Sequence, residues 1–324
     1  MPKAIRIHRT GGPEVLSWDA VEVPAPGPGE ATVRQAAVGL NFIDVYHRNG
    51  LYPLPLPSGI GLEGSGVVEA IGAGVTEVAV GDRVAYAGVP IGAYAEVRNI
   101  PAHRLLKLPD AVAFNTGAAM MLQGLTAAYL LRRTYAVQPG DAVLIHAAAG
   151  GVGLVACQWA RAIGALVIGT VGSDAKAEIA RAHGCHHVIN YSRENFTEQV
   201  RAITGGAGVN VVYDGVGKDT FTGSLDSLRP MGMMVSYGNA SGPVPPIDLL
   251  QLSQRGSLFI TRPSLMHYTA KRDDLVALGA ELFAQVVAGT VRIEVNQTYA
   301  LSDASQAHRD LEGRKTTGST ILIP

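Results

Sequence analysis

At 324 residues the chain is long enough for two domains, and 47% hydrophobic against 16% charged residues marks a globular protein rather than a disordered one. A formal net charge of −1 without a basic block argues against nucleic acid or an anionic membrane as partner; no apolar run reaches spanning length, and the opening segment MPKAIRIHRT lacks the apolar core of a signal peptide. Cys157 and Cys185 are the only cysteines; they make no disulfide framework, which points to the cytoplasm, and Cys157 reads as a small core residue.

In chain order, residues 1–120 are rich in strand signals, Gly and Pro. Strands are expected at 5–8, after the turn GGPEVL (11–16), at 31–39, at 66–71 and at 83–86, with the Pro/Gly segment 24–29 as a rigid connection. Many short strands at turn-marked intervals predict a compact, partly barrel-like β domain. The segment NFIDVYHRNGLYP (41–53) concentrates polar and aromatic groups, and reads either as a loop carrying function or as a short surface helix. Residues 116–134 form a helical stretch rich in Ala and Leu, and Pro139-Gly140-Asp141 turns the chain into the next strand.

The stretch 142–172 is the most informative. An apolar run at 142–146 enters the small-residue turn AAAGGVG (147–153). A helix follows, with Val152, Val155, Ala156, Trp159 and Ile163 on one face, Arg161 in its last turn and Gly164 at its stop. A β-branched run at 166–171 then reads as a buried parallel strand. Such a βαβ unit cradles a dinucleotide pyrophosphate, because glycine lets the backbone approach and the free amides and helix dipole attract negative charge. Gly150 and Gly153 match the last two glycines of the fingerprint, while Ala148 stands where the first usually lies.

NAD-binding folds usually carry an acid about 20 residues after the glycines, to hold the ribose. Here that position is Gly172, followed by Ser173 and Lys176, which suits the 2′-phosphate of NADPH. Asp174 argues mildly the other way, and Ser173 or Asp174 also serves as N-cap of a helix starting near 175.

Beyond this unit the alternation continues, with strands at 187–191, 209–213, 231–237 and 258–261 and helices at 175–184, 194–203 and 220–228. The pattern predicts a doubly wound parallel sheet covered on both faces. Gly215, Gly238, Asn239 and Arg262 fall on the rim at the strands' C-terminal ends, where ligands bind. A last helix at 273–288 and a strand at 320–323 are expected to return to the first domain.

The segments GGPEVL (11–16), NFID (41–44), GDRV (81–84), AAAGGVG (147–153) and HRDLE (308–312) together resemble the medium-chain dehydrogenase/reductase superfamily, and within it the zeta-crystallin-like NADPH:quinone oxidoreductases. The resemblance runs nearly end to end. It implies an α/β protein with a GroES-like β-rich catalytic domain in two pieces (1–124 and 265–324) flanking a Rossmann NADPH-binding domain (125–264). It also implies a homodimer formed chiefly through Rossmann-domain edges. Carried over residue by residue, it sets Asn41, Tyr46 and Thr126 beside the nicotinamide half, and Gly150, Gly151 and Val152 at the pyrophosphate. Gly172, Ser173, Lys176 and Tyr191 would surround the adenosine phosphate. Tyr237, Gly238, Asn239, Arg262 and Pro263 would border the nicotinamide, with Arg314 closing over the cofactor.

Alcohol dehydrogenases of this superfamily hold zinc through a Cys near the Asn41 region and a Gly-His-Glu segment. Here the matching segment is Gly61-Leu62-Glu63, and His186-His187 would point to opposite faces of a strand, so no metal site is expected. The expected reaction is metal-free hydride transfer from NADPH to a quinone in a dry cleft between the domains. Asn41 and Tyr46 would orient the substrate, and Tyr52 would help wall the pocket. A tyrosine with a pKa of about 10 is a poor acid at neutral pH, so positioning is expected rather than proton donation. The rival readings are a reductase of α,β-unsaturated carbonyls and, from another class, an RNA-binding or structural crystallin-type protein. The near-neutral charge offers no phosphate-tracking groove for RNA.

Overall fold

The computed structural model describes all 324 residues. Its elements in chain order begin with β1 (Lys3–Ile7), β2 (Leu16–Ala20), β3 (Glu30–Leu40), α1 (Phe42–Asn49), β4 (Ser58–Gly59), β5 (Glu63–Ile71), β6 (Arg83–Ala87), β7 (Val97–Pro101), β8 (Leu106–Lys107) and α2 (Phe114–Tyr129). Next come β9 (Ala142–Ile145), α3 (Gly151–Ile163), β10 (Leu166–Val171), α4 (Asp174–Ala182), β11 (His187–Asn190), α5 (Phe196–Ile203), β12 (Val209–Asp214) and α6 (Phe221–Ser227). The chain continues through β13 (Leu228–Ser236), α7 (Leu250–Gln254), β14 (Phe259–Thr261), α8 (Leu265–Tyr268) and α9 (Arg272–Val287). It ends with β15 (Val295–Ala300), α10 (Ala304–Glu312) and β16 (Ser319–Ile323). Two compact units result: Met1–Leu125 with Thr269–Val287 and Ile293–Pro324, and Thr126–Tyr268 with Ala288–Arg292.

The first unit is built on β3, the longest of its strands, which pairs antiparallel with β5, β7 and β16 in a seven-stranded sheet of order β15-β16-β3-β5-β6-β8. A small sheet, β2-β1-β4, accompanies it. Ile5, Val33, Val84, Tyr86, Tyr94, Ile100 and Leu322 meet in one core. Each such side chain removed from water contributes about 1.5–3 kcal/mol before entropy is counted.

Segment 41–53 does form a helix, but not a surface one. Asp44, Val45, Tyr46, His47 and Arg48 of α1 are buried, and Gly50, at φ 86, ends the helix in the left-handed region. The reason lies far along the chain. Arg48 donates from Nε to the Gly11 carbonyl (3.1 Å), from Nη1 to His308 Nδ1 (2.9 Å), and through both terminal nitrogens to the Glu312 carboxylate (2.9 and 2.8 Å). The segments GGPEVL and HRDLE thus converge on one guanidinium, carried by the helix that NFID opens, whose side chain is only 2% exposed. Because Arg48 can only donate, His308 Nδ1 accepts and Nε2 carries the proton toward Tyr94 Oη (3.3 Å), whose own proton goes to Asp44 (2.9 Å).

In the second unit six strands lie parallel in the order β11-β10-β9-β12-β13-β14, the doubly wound order with the switch point at β9 and β12. Leu144, Ile168, Ile189, Val212, Phe221 and Met234 pack in its core. Among the boundaries that differ from expectation, β13 begins at Leu228 rather than 231, and α6 stops at Ser227 rather than 228. The strand β15 and helix α10 were not anticipated, because β15 (VNQTYA) alternates half-buried and exposed residues without an apolar run.

Candidate functional site

At the C-terminal end of β9 the backbone turns at Ala147, a non-glycine residue with φ 52. Gly150 is the N-cap of α3, at φ −86, and no side chain caps that helix, so the amides of its first turn remain available to an anion. The two matching glycines do different jobs. A Cβ on Gly153 would lie 2.3 Å from the Ala147 carbonyl and 2.8 Å from Ala148 Cα, so this glycine admits α3 against the turn. A Cβ on Gly150 would meet only the Ala147 carbonyl, at 3.2 Å, so its bareness leaves room for a ligand. Ala148 is tolerated in the usual glycine position because it faces Gly169, whose own Cβ would come 2.7 Å from the Ala148 methyl.

Beneath the turn lies a polar network that the sequence did not reveal. Asp214 accepts from Val216 N, Gly217 N, Thr220 Oγ1 and Ser224 Oγ at 2.7–3.0 Å. Ser224 therefore receives the Nε2 proton of His146 (2.9 Å), while His146 Nδ1 accepts from Thr170 Oγ1 (2.8 Å). Burial lowers the pKa of His146, keeping it neutral in this role. The only sequence signal was a histidine closing a strand just before a glycine turn.

At the end of β10, a Cβ on Gly172 would come 2.8 Å from Tyr191 Oη, so these two expected neighbours do meet. Ser173 caps α4 by accepting from Lys176 N (3.4 Å). Asp174 is engaged by Asn190 Nδ2 (3.0 Å) and ion-paired with Arg193. Further along the rim, Gly215 packs on the Tyr237 ring, and Gly238 sits where a Cβ would be 2.3 Å from the Gly215 carbonyl. Arg262 donates to the Gly238 carbonyl (2.9 Å) and Ser236 Oγ (3.2 Å), and Asn239 accepts from Arg262 (3.1 Å). Ser236, Asn239, Ile260 and Arg262 line a cavity of about 600 Å³. Pro263 follows directly, and Thr126 is buried on α2.

The first unit holds the other cluster. Asn41 precedes α1, and Tyr46 within α1 packs edge-on against Tyr52 (5.2 Å between centroids) and against Phe42 (5.5 Å). Asn41 Nδ2 donates to Glu63 (2.5 Å), its Oδ1 accepts from Gln123 Nε2 (3.2 Å), and its backbone N–H goes to Asp44 (2.9 Å). Glu63, wholly buried, also accepts from Leu122 N (2.6 Å). Burial pushes its carboxyl up to about 8, that of Asp44 up to about 7, and His47 down to about 4. Arg314 stands just past α10 with φ 58.

Residues 27–110 match the alcohol dehydrogenase GroES-like domain and residues 151–278 the zinc-binding dehydrogenase family. Over the full length of both chains, the sequence is 53% identical to a quinone oxidoreductase of Pseudomonas aeruginosa. The chain belongs to the quinone oxidoreductase family. The crystal structure of Escherichia coli quinone oxidoreductase complexed with NADPH superposes with a TM-score of 0.98 at 49% identity, covering 99% of this chain and 100% of that one. A 2-haloacrylate reductase from a Burkholderia species is 49% identical over 100% of this chain and 99% of its own. These results establish, for a quinone oxidoreductase of this family, the GroES-like unit and the Rossmann-type sheet described above. Despite the second family's description, the residues do not fit a zinc ion. No three His, Cys, Asp or Glu side chains converge anywhere, Leu62 occupies the would-be histidine position, and Glu63 is taken up by Asn41 and Leu122.

Proposed function

We infer that the protein is an NADPH-dependent quinone oxidoreductase. The observation that carries this reading is the pairing of an uncapped α3 N-terminus with a β10 end that bears no acid for the ribose. The objection that Asp174 would repel a 2′-phosphate weakens, because Asn190 and Arg193 take up its carboxylate. When bound, the nicotinamide cofactor supplies the hydride, and a solvent proton completes the hydroquinone. Gly150, Gly151 and Val152 hold the pyrophosphate, with the amides of Gly151 and Val152 as donors, since that of Gly150 already goes to the Ala147 carbonyl (2.8 Å); Gly172, Ser173, Lys176 and Tyr191 hold the adenosine phosphate. Asn41, Tyr46 and Thr126 orient the nicotinamide half and the substrate, and Tyr52 walls the pocket. Tyr237, Gly238, Asn239, Arg262 and Pro263 border the nicotinamide, and Arg314 closes over the cofactor.

Fluorescence titration with NADPH and NADH tests the cofactor reading. A charge-assisted contact contributes about 1.5–3 kcal/mol, so NADPH should bind roughly ten- to a hundredfold more tightly, and Lys176→Ala should narrow that gap. Equal affinities in the wild type would refute it. Reduction of an activated C=C is the second reading, favoured by the 49% identity to a 2-haloacrylate reductase. Steady-state rates on quinones against enones and haloacrylates separate the two.

The assembly is a homodimer through the edge of the parallel sheet. β14 is an edge strand with Phe259 57% exposed, and Leu249, Leu250 and Met231 stand exposed in the same unit, an apolar edge of the kind proteins cover. No helix is long and apolar enough to cross a membrane. The scarcity of cysteine suits the cytoplasm.

A further inference from the structure

The polar groups around Asn41 can be satisfied in two ways that differ by one proton. In the arrangement above, both oxygens of Glu63 accept, from Asn41 Nδ2 and Leu122 N; Gln123 Nε2 donates to Asn41 Oδ1, and Ser319 Oγ donates to Gln123 Oε1 (2.7 Å). The two ends of a carboxamide have nearly the same shape, so Asn41 and Gln123 can each turn over in place. With a proton on Glu63, that carboxyl donates to Asn41 Oδ1. Asn41 Nδ2 then donates to Gln123 Oε1, and Gln123 Nε2 to Ser319 Oγ. The Ser319 hydroxyl proton turns to the Ala119 carbonyl, which already lies 3.1 Å away. Every donor keeps an acceptor in both arrangements.

We propose that Glu63 is a positioning residue acting through this relay, its carboxyl setting which end of the Asn41 carboxamide is offered to the nicotinamide and the substrate. This rests on Asn41 contacting the nicotinamide half. The surroundings suit a group that exchanges a proton. From β3 Gly39 faces Glu63, where a Cβ would be 2.2 Å from Oε1, and β16 brings the uncharged Ser319 hydroxyl to Gln123. The middle of α2 offers the amides of Met121 and Leu122. α1 contributes Asp44, whose like charge disfavours ionisation of Glu63, and the phenols Tyr86 and Tyr94 lie near. The cations beyond them are Arg98, stacked on Tyr86 at 5.4 Å, and Arg48, which donates to His308 behind Tyr94. Burial without a cation partner of its own pushes Glu63 up to about 8, so both arrangements are populated near neutrality.

The full-length enzyme supplies the test. A Gln at 63 must offer its oxygen to Leu122 N and its amide to Asn41 Oδ1, which locks the protonated arrangement. In the wild type, kcat/KM for a quinone should change severalfold across a midpoint of about 8, and infrared spectra of the cofactor-free protein should lose a carboxylic acid band at the same midpoint. Glu63→Gln should lack that band and the kinetic step, while a second band from Asp44, with its midpoint of about 7, survives. Gln123→Ala leaves Glu63 and its direct contact with Asn41 in place, so it should keep both the band and the step, whereas Asn41→Ala should keep the band and lose the step. A kinetic step retained in Glu63→Gln or Asn41→Ala, or the absence of the higher-pH band from the wild type, overturns the proposal. Asn41→Ala should lower kcat/KM about tenfold or more. If it does not, the role of Asn41 fails, whereas the infrared titration still decides whether Glu63 holds its proton.

Discussion

Gly153→Ala and Gly150→Ala add the same methyl to the same turn, and the geometry assigns them opposite consequences. At Gly153 the new Cβ would stand 2.3 Å from the Ala147 carbonyl oxygen and 2.8 Å from Ala148 Cα, both backbone atoms that cannot rotate aside. Relief requires α3 to shift by roughly 1 Å from the turn, straining Ala147, already at φ 52, and overpacking of this kind costs about 1–3 kcal/mol. At Gly150 the backbone (φ −86, ψ 170) suits any residue and the nearest atom is 3.2 Å away, so stability should fall by less than about 1 kcal/mol. Its methyl would stand among the first amides of α3, however, and losing one charge-assisted bond there weakens NADPH roughly ten- to a hundredfold. Urea denaturation and NADPH fluorescence titration on both variants give the four numbers needed. If Gly153→Ala unfolds at the wild-type midpoint, or Gly150→Ala binds NADPH unchanged, the division of labour between the two glycines is wrong.

Glu312→Gln removes the countercharge of buried Arg48 but leaves the Gly11 and His308 contacts; since Glu312 is about one-third exposed, the expected loss is about 1–3 kcal/mol in urea denaturation, below that of a fully buried pair. Stability should also peak at mildly acid pH. Glu63 and Asp44 hold their protons more tightly folded than unfolded, so their contribution is complete below about pH 4 and is lost as pH rises through about 7 and 8. His308 and His47, lowered by burial to about 3 and about 4, run the other way: complete above about pH 6.5, lost on acidification. Melting temperatures should flatten on the alkaline side in Glu63→Gln, and a wild-type curve that climbs steadily from neutral to alkaline pH would contradict this. Phe259→Lys should convert the dimer to a monomer in light scattering without loss of NADPH binding.

The Rossmann-type unit was readable because its information is local. Apolar residues at helical spacing, a β-branched run and glycines at 150, 153 and 164 each act within a few residues of themselves. Helix α1 was half-readable: a helix was one of two readings of 41–53, but its burial was not visible, because the groups that satisfy Arg48 lie at Gly11, His308 and Glu312. Glu63 went unnoticed as a working residue for a similar reason. Its partners Leu122 and Asn41 are distant in sequence, and the one nearby hint was the crowd of glycines at 61, 64 and 66 around a lone acid.

The Arg48 anchorage has a consequence for the order of events during synthesis. The helix that carries it leaves the ribosome well before its partners, because His308 and Glu312 follow 260 and 264 residues later. Until those residues arrive, the guanidinium must remain hydrated and the aromatic face of the same helix cannot settle, so maturation of this half of the molecule waits on synthesis of the segment that carries His308 and Glu312.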